Sequence, residues 1–260
     1  METKGGFLEP VRTTEIMAVA GARELRDGEI VVVGLGLPQV ASVLAKRTHA
    51  PDLTTLLEIG VVNTNPLDTP AGLADSRIFH GATCWSGLLD ILGMNLHRGI
   101  VDVGFLGALE LDSHGNINTT LLREDSGKVH YFNGSAGGND VASLAKRIMV
   151  IMRHEKRKLP LDVSHLTSPG FPGGRSRAEQ GLRGSGPHRV ITDMAVLGFH
   201  PQTREAMLVS VHPGIRVEDV LENTGFPLRV PENVAETPPP TAEELRLLRE
   251  EIDPKRVYLK

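Results

Sequence analysis

The order of hydrophobic and polar positions predicts helices and strands in alternation from residue 14 onward. Apolar residues recur at helical spacing over residues 14–26, and Gly28 follows where a helix C-terminus favours glycine. Residues 30–33 are a continuous β-branched run, which is typical of a strand buried on both faces of a parallel sheet. The segment 34–38 ends that strand, and residues 39–47 have a helical pattern behind a proline that suits a first turn.

The same alternation continues to residue 211. The pattern predicts buried strands at 53–58, 100–106 and 147–152, helices at 86–97 and 139–146, and additional edge strands at 163–166, 189–197 and 206–211. Strand–helix–strand order of this kind implies an α/β fold with right-handed crossovers. We therefore expect an open, mostly parallel sheet with helices on both faces.

Two segments depart from this alternation. Residues 168–187 are rich in glycine and proline, which indicates either an ordered functional loop or a mobile lid. Residues 237–240, Thr-Pro-Pro-Pro, predict a stiff spacer, and Thr241 and Glu244 are spaced as a capping box that begins a C-terminal helix. Because no interdomain linker is evident, we expect residues 1–260 to form a single domain.

Composition and charge exclude several classes of protein. The 260 residues carry a net charge of −4 with only 4% aromatic residues, which argues against a nucleic-acid-binding surface. The single cysteine, Cys84, can form neither an intrachain disulfide nor a thiolate zinc site, and we expect it to be a buried, small apolar side chain. The N-terminus lacks an apolar signal core, and no run of about 18 apolar residues occurs. The sequence predicts a soluble, cytoplasmic protein without membrane contact.

The glycine-rich turn at 34–38 is the first candidate site. Gly34 and Gly36 would let the backbone approach a ligand, and the following helix N-terminus would favour an anion. A dinucleotide-binding fingerprint requires a third glycine where this chain has Gln39, although Glu58 lies 22 residues beyond Gly36, near the position of a ribose-binding acid. A nicotinamide site and a plain tight turn both stay open.

Glu58 is a second candidate because it ends an apolar strand and is followed closely by Gly60. Ligands of open α/β sheets bind at the carboxyl ends of the strands. A carboxylate there could act as a nucleophile, a general base or a ribose ligand, and the alternative is an acid that faces solvent.

A third candidate is the loop 134–140, Gly-Ser-Ala-Gly-Gly-Asn-Asp, between a strand and a helix. Backbone N–H groups near Gly137 and Gly138 could hold a thioester oxygen as it becomes negative; the alternative is a flexible turn. The loop lacks the ending of a phosphate-binding Walker motif, and no G-x-S-x-G or H-E-x-x-H motif occurs. We expect no metal site. The basic run 153–158 is either a solvated face or a site that attracts an anionic ligand, such as a CoA phosphate.

Several of these motifs together resemble one family. The chain is similar to the β subunit of glutaconate CoA-transferase, of the class I CoA-transferases, from about Glu15 to Val257. The motifs that carry the resemblance are 33–38 (VGLGLP), 57–60 (LEIG), 112–118 (DSHGNIN), 134–142 (GSAGGNDVA), 154–157 (HEKR), 167–170 (TSPG), 221–226 (LENTGF) and 250–254 (EEIDP).

The resemblance implies a two-subunit enzyme in which the β chain carries a nucleophilic glutamate, here Glu58. Ile59 stands where relatives have a polar residue. The implied reaction moves CoA from an acyl-CoA to a carboxylic acid through a glutamyl-CoA thioester, with CoA as substrate and no permanently bound cofactor. An α subunit would complete the acyl pocket, so a hetero-oligomer is implied. Asn116 and Asn118 are candidates for orienting a carboxylate or the pantetheine amide, or else for a structural turn.

Two alternatives accompany this interpretation. The first is an acyl-CoA hydrolase or a ring-cleaving hydrolase on the same scaffold; related steroid-ring-cleaving hydrolases lack the glutamate, so its presence favours transfer. The second is a non-catalytic subunit that binds acyl-CoA.

Overall fold

The fold is built on one ten-stranded sheet. The structure is a computed structural model that describes residues 9–66, 70–124 and 126–260. The strands are β1 (Ile30–Val33), β2 (Thr54–Leu57), β3 (Val61–Val62), β4 (Cys84–Trp85), β5 (Val103–Gly107), β6 (Glu110–Leu111), β7 (Ile117–Asn118), β8 (Leu121–Arg123), β9 (Val129–Tyr131), β10 (Arg147–Ile151), β11 (Pro187–Ile191), β12 (Ala195–Phe199), β13 (Ala206–Val211) and β14 (Ala235–Glu236). The α-helices are α1 (Thr13–Arg23), α2 (Leu37–Arg47), α3 (Gly138–Leu144), α4 (Val217–Glu222) and α5 (Ala242–Arg246).

The sheet order is β14-β13-β12-β11-β10-β5-β1-β2-β3-β4. The five central strands, from β11 to β2, are all parallel, and antiparallel strands extend the sheet on either side of them. Strands β6 and β7, and likewise β8 and β9, form separate two-stranded ribbons. The predicted open, mostly parallel α/β sheet is confirmed.

Helices cover both faces of the sheet because the central strands are apolar on both sides. In β1, Val31 and Val33 pack into the core beneath α1 and α2, whereas Val32 packs into a second core that includes residues of α3 and α4. A seven-residue π-helix, Leu89–Asn95, contributes to the second core in place of the predicted helix at 86–97. Among the described helices, none is long and apolar enough to span a membrane.

Two of the predicted edge strands are wrong in detail. Residues 163–166 form no strand. The apolar stretch 189–197 is two antiparallel strands, β11 and β12, because Thr192 organises a turn between them: its hydroxyl accepts hydrogen bonds from the N–H groups of Met194 and Ala195. The polar pair Thr192 and Asp193 marks this turn, but the prediction treated residues 189–197 as one strand.

One buried side chain helps to fasten the segment 168–187 to the rest of the fold. Arg177 is buried, and its guanidinium donates hydrogen bonds to the carbonyl oxygens of Pro169, Gly170, Ala142, Ser143 and Arg183. Burial lowers the pKa of Arg177 to about 10, which leaves the group charged at neutral pH. The carbonyl oxygens thus compensate the desolvation of a buried cation.

The C-terminal helix begins as the sequence predicts. Thr241 accepts a hydrogen bond from the Glu244 N–H, and Glu244 in turn accepts one from the Thr241 N–H. Glu244 also pairs with Arg23, which joins α5 to α1. A π-helical turn, Leu247–Ile252, then packs Leu247, Leu248 and Ile252 into the core with α1 and α2.

A buried histidine makes the fold sensitive to acid. The ring of His154 lies between the hydroxyls of Thr192 and Thr224, at 2.9 and 3.0 Å from its two nitrogens. Burial lowers the pKa of His154 to about 4, so the folded chain holds this ring neutral. An unfolded chain would bind a proton near the ordinary pKa of about 6.5.

We expect the stabilisation from neutral His154 to be complete above pH 6.5 and to be lost as the pH falls toward 4. This residue alone should remove about 2 kcal/mol of unfolding free energy between pH 7 and pH 5, because the unfolded state gains the proton. Urea unfolding at both pH values measures the loss. In His154→Gln the decrease in unfolding free energy between the two pH values should be smaller by that amount. A decrease equal to that of the wild type would contradict the role assigned to His154.

Candidate active site

Glu58 lies at the carboxyl end of β2, where the chain turns sharply. Gly60 has a φ of +102° and donates its N–H to the Leu57 carbonyl oxygen at 2.9 Å. A Cβ at Gly60 would come within 2.1 Å of the Ser86 carbonyl oxygen. Only glycine therefore permits this close approach of two backbone segments, and the approach fixes the direction in which Glu58 leaves the strand.

The glycine-rich loop 134–138 faces Glu58 from the start of α3. The Gly137 N–H donates a hydrogen bond of 3.3 Å to Oε2 of Glu58. A Cβ at Gly137 would lie 2.9 Å from that same oxygen and 2.9 Å from Cδ1 of Leu92. The absence of a side chain at Gly137 is what allows the backbone donor to reach the carboxylate.

These two elements border a cavity of about 330 Å³. Its polar lining consists of the side chains of Glu58, Thr119, Asn133, Ser135 and Ser168, together with backbone of the glycine loops at 34 and 134–138. Of the described residues that line the cavity, Glu58 is the only one with an ionisable side chain. The cavity therefore contains one carboxylate, and the other polar groups that line it are uncharged and can form hydrogen bonds.

Gly34 and Gly36 have different positions. Gly34 lines the cavity, and its N–H donates to the Phe105 carbonyl oxygen at 2.9 Å, which holds the turn against the neighbouring strand. Gly36 is the N-cap of α2, with a φ of +92°, and is not among the residues that line the cavity. Gly36 thus shapes the turn, whereas Gly34 contributes to the wall.

Gly138 and Asn116 have their polar groups engaged elsewhere. The Gly138 N–H donates to the Ser135 carbonyl oxygen at 2.8 Å, which leaves Gly137 as the N–H directed at Glu58. Asn116 is buried outside the cavity: its amide donates to Asp112 at 2.8 Å and accepts from the Gly170 N–H at 3.0 Å. These contacts favour a structural turn for Asn116.

Sequence reasoning missed the residues that support the glycine loop. The Thr119 hydroxyl donates to the Gly134 carbonyl oxygen at 2.7 Å, and the Asn139 amide donates to the Thr167 carbonyl oxygen at 2.8 Å. Ser168 lines the cavity beside Gly138. The available signals were the motifs at 134–142 and 167–170, which contain Asn139 and Ser168 and carry part of the family resemblance without indicating these contacts.

Two other expectations have clear outcomes. Cys84 is exposed on β4 at the edge of the sheet, so the prediction of a buried side chain is wrong. In the basic run 153–158, Glu155 pairs with Arg157 and Lys158 on the surface, while His154 points into the interior. Part of the run is therefore a solvated face whose charges pair with one another.

Among the described residues, no group of three or more His, Cys, Asp or Glu could hold a metal ion.

A concave, glycine-walled site at the carboxyl ends of parallel strands is the usual ligand-binding arrangement of an α/β enzyme. Comparison with known proteins gives the family. The Coenzyme A transferase family model matches residues 14–223. One of the subunits of glutaconate CoA-transferase from Acidaminococcus fermentans is 35% identical over 254 residues, covering 94% of this chain and 94% of that protein. The chain therefore belongs to the coenzyme A transferase family.

Two further similarities agree with this membership. The corresponding subunit of 3-oxoadipate CoA-transferase from Pseudomonas knackmussii is 36% identical over 238 residues, covering 91% of this chain and 92% of that protein. The crystal structure of glutaconate coenzyme A-transferase from Acidaminococcus fermentans matches with a TM-score of 0.87 at 33% identity, covering 95% of this chain and 97% of the matched chain. The resemblance noted from the motifs is confirmed.

We expect Gly60→Ala to destabilise the fold by at least about 3 kcal/mol, because it combines a backbone clash with a strained positive φ. Gly28→Ala is the matched control: Gly28 has a φ of +74°, but a Cβ there would meet nothing within 4 Å. That variant should lose only about 1–2 kcal/mol from φ strain. Urea unfolding of both variants tests the contact with Ser86, and equal losses would contradict it.

Proposed function

We propose that this chain is the catalytic subunit of a heteromeric CoA-transferase and that Glu58 is its nucleophile. The observation that carries the proposal is the Glu58 carboxylate, 3.3 Å from the Gly137 N–H, in a cavity where it is the one ionisable group among the described lining residues. Membership of the coenzyme A transferase family and similarity to subunits of two CoA-transferases support this assignment. CoA is then a substrate of the chain.

The reaction proceeds by two acyl exchanges at one carboxylate. An oxygen of Glu58 attacks the thioester carbonyl of the acyl-CoA, the C–S bond breaks, and CoA leaves as the thiolate from a mixed anhydride. The thiolate attacks the glutamyl carbonyl, which releases the first carboxylate and forms a glutamyl-CoA thioester. An incoming carboxylate reverses both steps and departs as the new acyl-CoA, with Glu58 restored.

The Gly137 N–H has a specific part in this sequence of steps. It donates to the same carboxyl group that becomes the glutamyl carbonyl, so it lies where negative charge develops during thiolate attack. A backbone donor fixed at the start of a helix stabilises such an oxyanion without reorganisation. Thr119 holds the loop that carries this donor.

The lining of the cavity favours transfer over hydrolysis. Every attacking and leaving group in the transfer reaction is already an anion, a carboxylate or a thiolate, and no proton has to move. Hydrolysis of a thioester requires that water lose a proton, and Glu58 is the one described lining residue that could accept it, so Glu58 would then act as a base and not as a nucleophile. The proposed reaction therefore requires only the groups that this cavity contains.

Replacement of Glu58 provides the direct test. The chain, purified with its partner subunit, is exposed to acyl-CoAs and then to borohydride, which reduces a glutamyl thioester to the alcohol. We expect peptide mass spectrometry to place this reduction at Glu58, and Glu58→Gln to lose both the reduction and CoA transfer by at least about 10³-fold. Glu222→Gln, at an exposed carboxylate, is the control. Transfer by Glu58→Gln at the wild-type rate would overturn the proposal.

The partner subunit needs a surface near Glu58, and an exposed apolar patch lies on the neighbouring strands and the segment that follows them. The Trp85 patch consists of Phe79, Trp85, Leu88, Leu89 and Met94, all large apolar residues with exposed side chains; Trp85 is 68% and Leu89 75% exposed. Strand β4 carries Trp85 and pairs with β3, which pairs with β2, the strand that Glu58 follows. Contiguous exposed apolar surface marks protein interaction sites, and we assign this patch to the partner subunit.

Leu89→Asp should weaken assembly with the partner at least tenfold, because it places a carboxylate in a desolvated contact. Leu161→Asp is the matched control, since Leu161 is 56% exposed outside the patch. Analytical ultracentrifugation of the two co-expressed variants measures the dissociation constant. An assembly that tolerates Leu89→Asp as well as Leu161→Asp would exclude the patch from the interface.

A further inference from the structure

A second cavity lies against strand β2, separate from the one that contains Glu58. Its volume is about 360 Å³, which is sufficient for a small organic molecule. Thr55 and Leu57 of β2 line it on one side, and Asn63, Asn65 and Thr83 line it near the surface. Leu57 belongs to the core under α1 and α2, so this cavity is on the α2 side of the sheet.

One face of α2 forms a wall of the cavity. The lining residues Gln39, Ser42, Val43, Lys46 and Arg47 follow the spacing i, i+3, i+4, i+7 and i+8, which places them in a row along the helix. The row begins with an amide, passes an apolar side chain and ends with two cations. Because seven residues rise about 10 Å along a helix, the amide and the ammonium of Lys46 are at opposite ends of this wall.

Among the residues that the structure describes, none is a hydrogen-bond partner of the Gln39 amide. Gln39 is only 4% exposed, and both its Nε2 and its Oε1 lack a partner among the described residues. A buried amide that is unsatisfied at both atoms destabilises the fold, and such groups are rare in folded proteins. A ligand with a polar end in the cavity would supply the missing hydrogen bonds.

The charge at the other end favours an anion. Lys46 is half-buried, and burial lowers its pKa, opposed by the nearby Asp52 carboxylate. Its ammonium donates to the neutral Asn63 Oδ1 at 2.8 Å, whereas the neighbouring Arg47 is paired with Glu251. The described residues that line the cavity include these two cations and no carboxylate. Lys46 therefore has donor capacity for an anionic group.

We propose that this cavity is a binding site for a short aliphatic carboxylate whose other end carries a hydroxyl or a similar polar group. The carboxylate contacts Lys46, the carbon chain packs on Val43 and Leu57, and the polar end exchanges hydrogen bonds with Gln39. The site is distinct from the Glu58 cavity, because the two are on different faces of β2 and share only Val33 among their described lining residues.

The probe for this site is 6-hydroxyhexanoate, with hexanoate as the analogue that lacks the hydroxyl. Isothermal titration calorimetry is carried out on the chain assembled with its partner subunit. We expect the hydroxy acid to bind more tightly than hexanoate, at least tenfold. Gln39→Leu should abolish that difference, and Lys46→Met should weaken both acids at least tenfold. Lys128→Met, at an exposed lysine, should change neither.

A stability measurement shows that the variant is folded. Gln39→Leu removes an unsatisfied amide, so without ligand it should unfold at the same urea concentration as the wild type or a higher one. Borohydride reduction at Glu58 should persist in Gln39→Leu, which separates this site from the proposed catalysis. Two results would overturn the proposal: equal binding of both acids to the wild type, or affinities that Gln39→Leu and Lys46→Met leave unchanged.

Discussion

The burial of the central parallel strands on both faces is the constraint on which the site depends. Val31 and Val33 enter one core and Val32 the other, so β1 can only be an interior strand of a covered sheet. Parallel strands direct their carboxyl ends to one edge, and the helices that cover the faces leave that edge accessible. Glu58 and Gly34 follow two adjacent strands of this set and therefore meet at the same cavity.

The elements that local patterns specify were predictable, and those that depend on distant contacts were not. The β-branched run at 30–33 and the capping box at Thr241 are short-range signals, and both elements formed as predicted. The turn at Thr192 was missed because its only local sign is the polar pair Thr192 and Asp193, and the hydrogen bonds that form it exist only in the folded chain. Cys84 is exposed since β4 lies at the sheet edge, and edge position follows from strand order rather than from local sequence.

The candidate site was predictable only in part, because the sequence shows its local signals and does not show its long-range contacts. Glu58 is marked by its place at the end of a strand, and the glycine loop by its composition. The contact between Glu58 and Gly137 joins residues 79 positions apart, so only the folded chain reveals it. The support that Thr119 gives the loop depends on packing of another segment. Family resemblance suggested the role that we propose for Glu58, whereas the cationic cavity beside Gln39 carried no sequence signal.

The guanidinium of Arg177 links two parts of the twenty-residue segment 168–187 to each other and to the end of α3. Its carbonyl partners lie at both ends of the segment 168–187 and in the last turn of α3. These hydrogen bonds share one donor group, the Arg177 guanidinium. If only some of them break, the buried cation loses hydrogen-bond partners and gains no water in their place. The segment and the end of α3 therefore form one cooperative unit, whose backbone amides should exchange with solvent together in a single opening event.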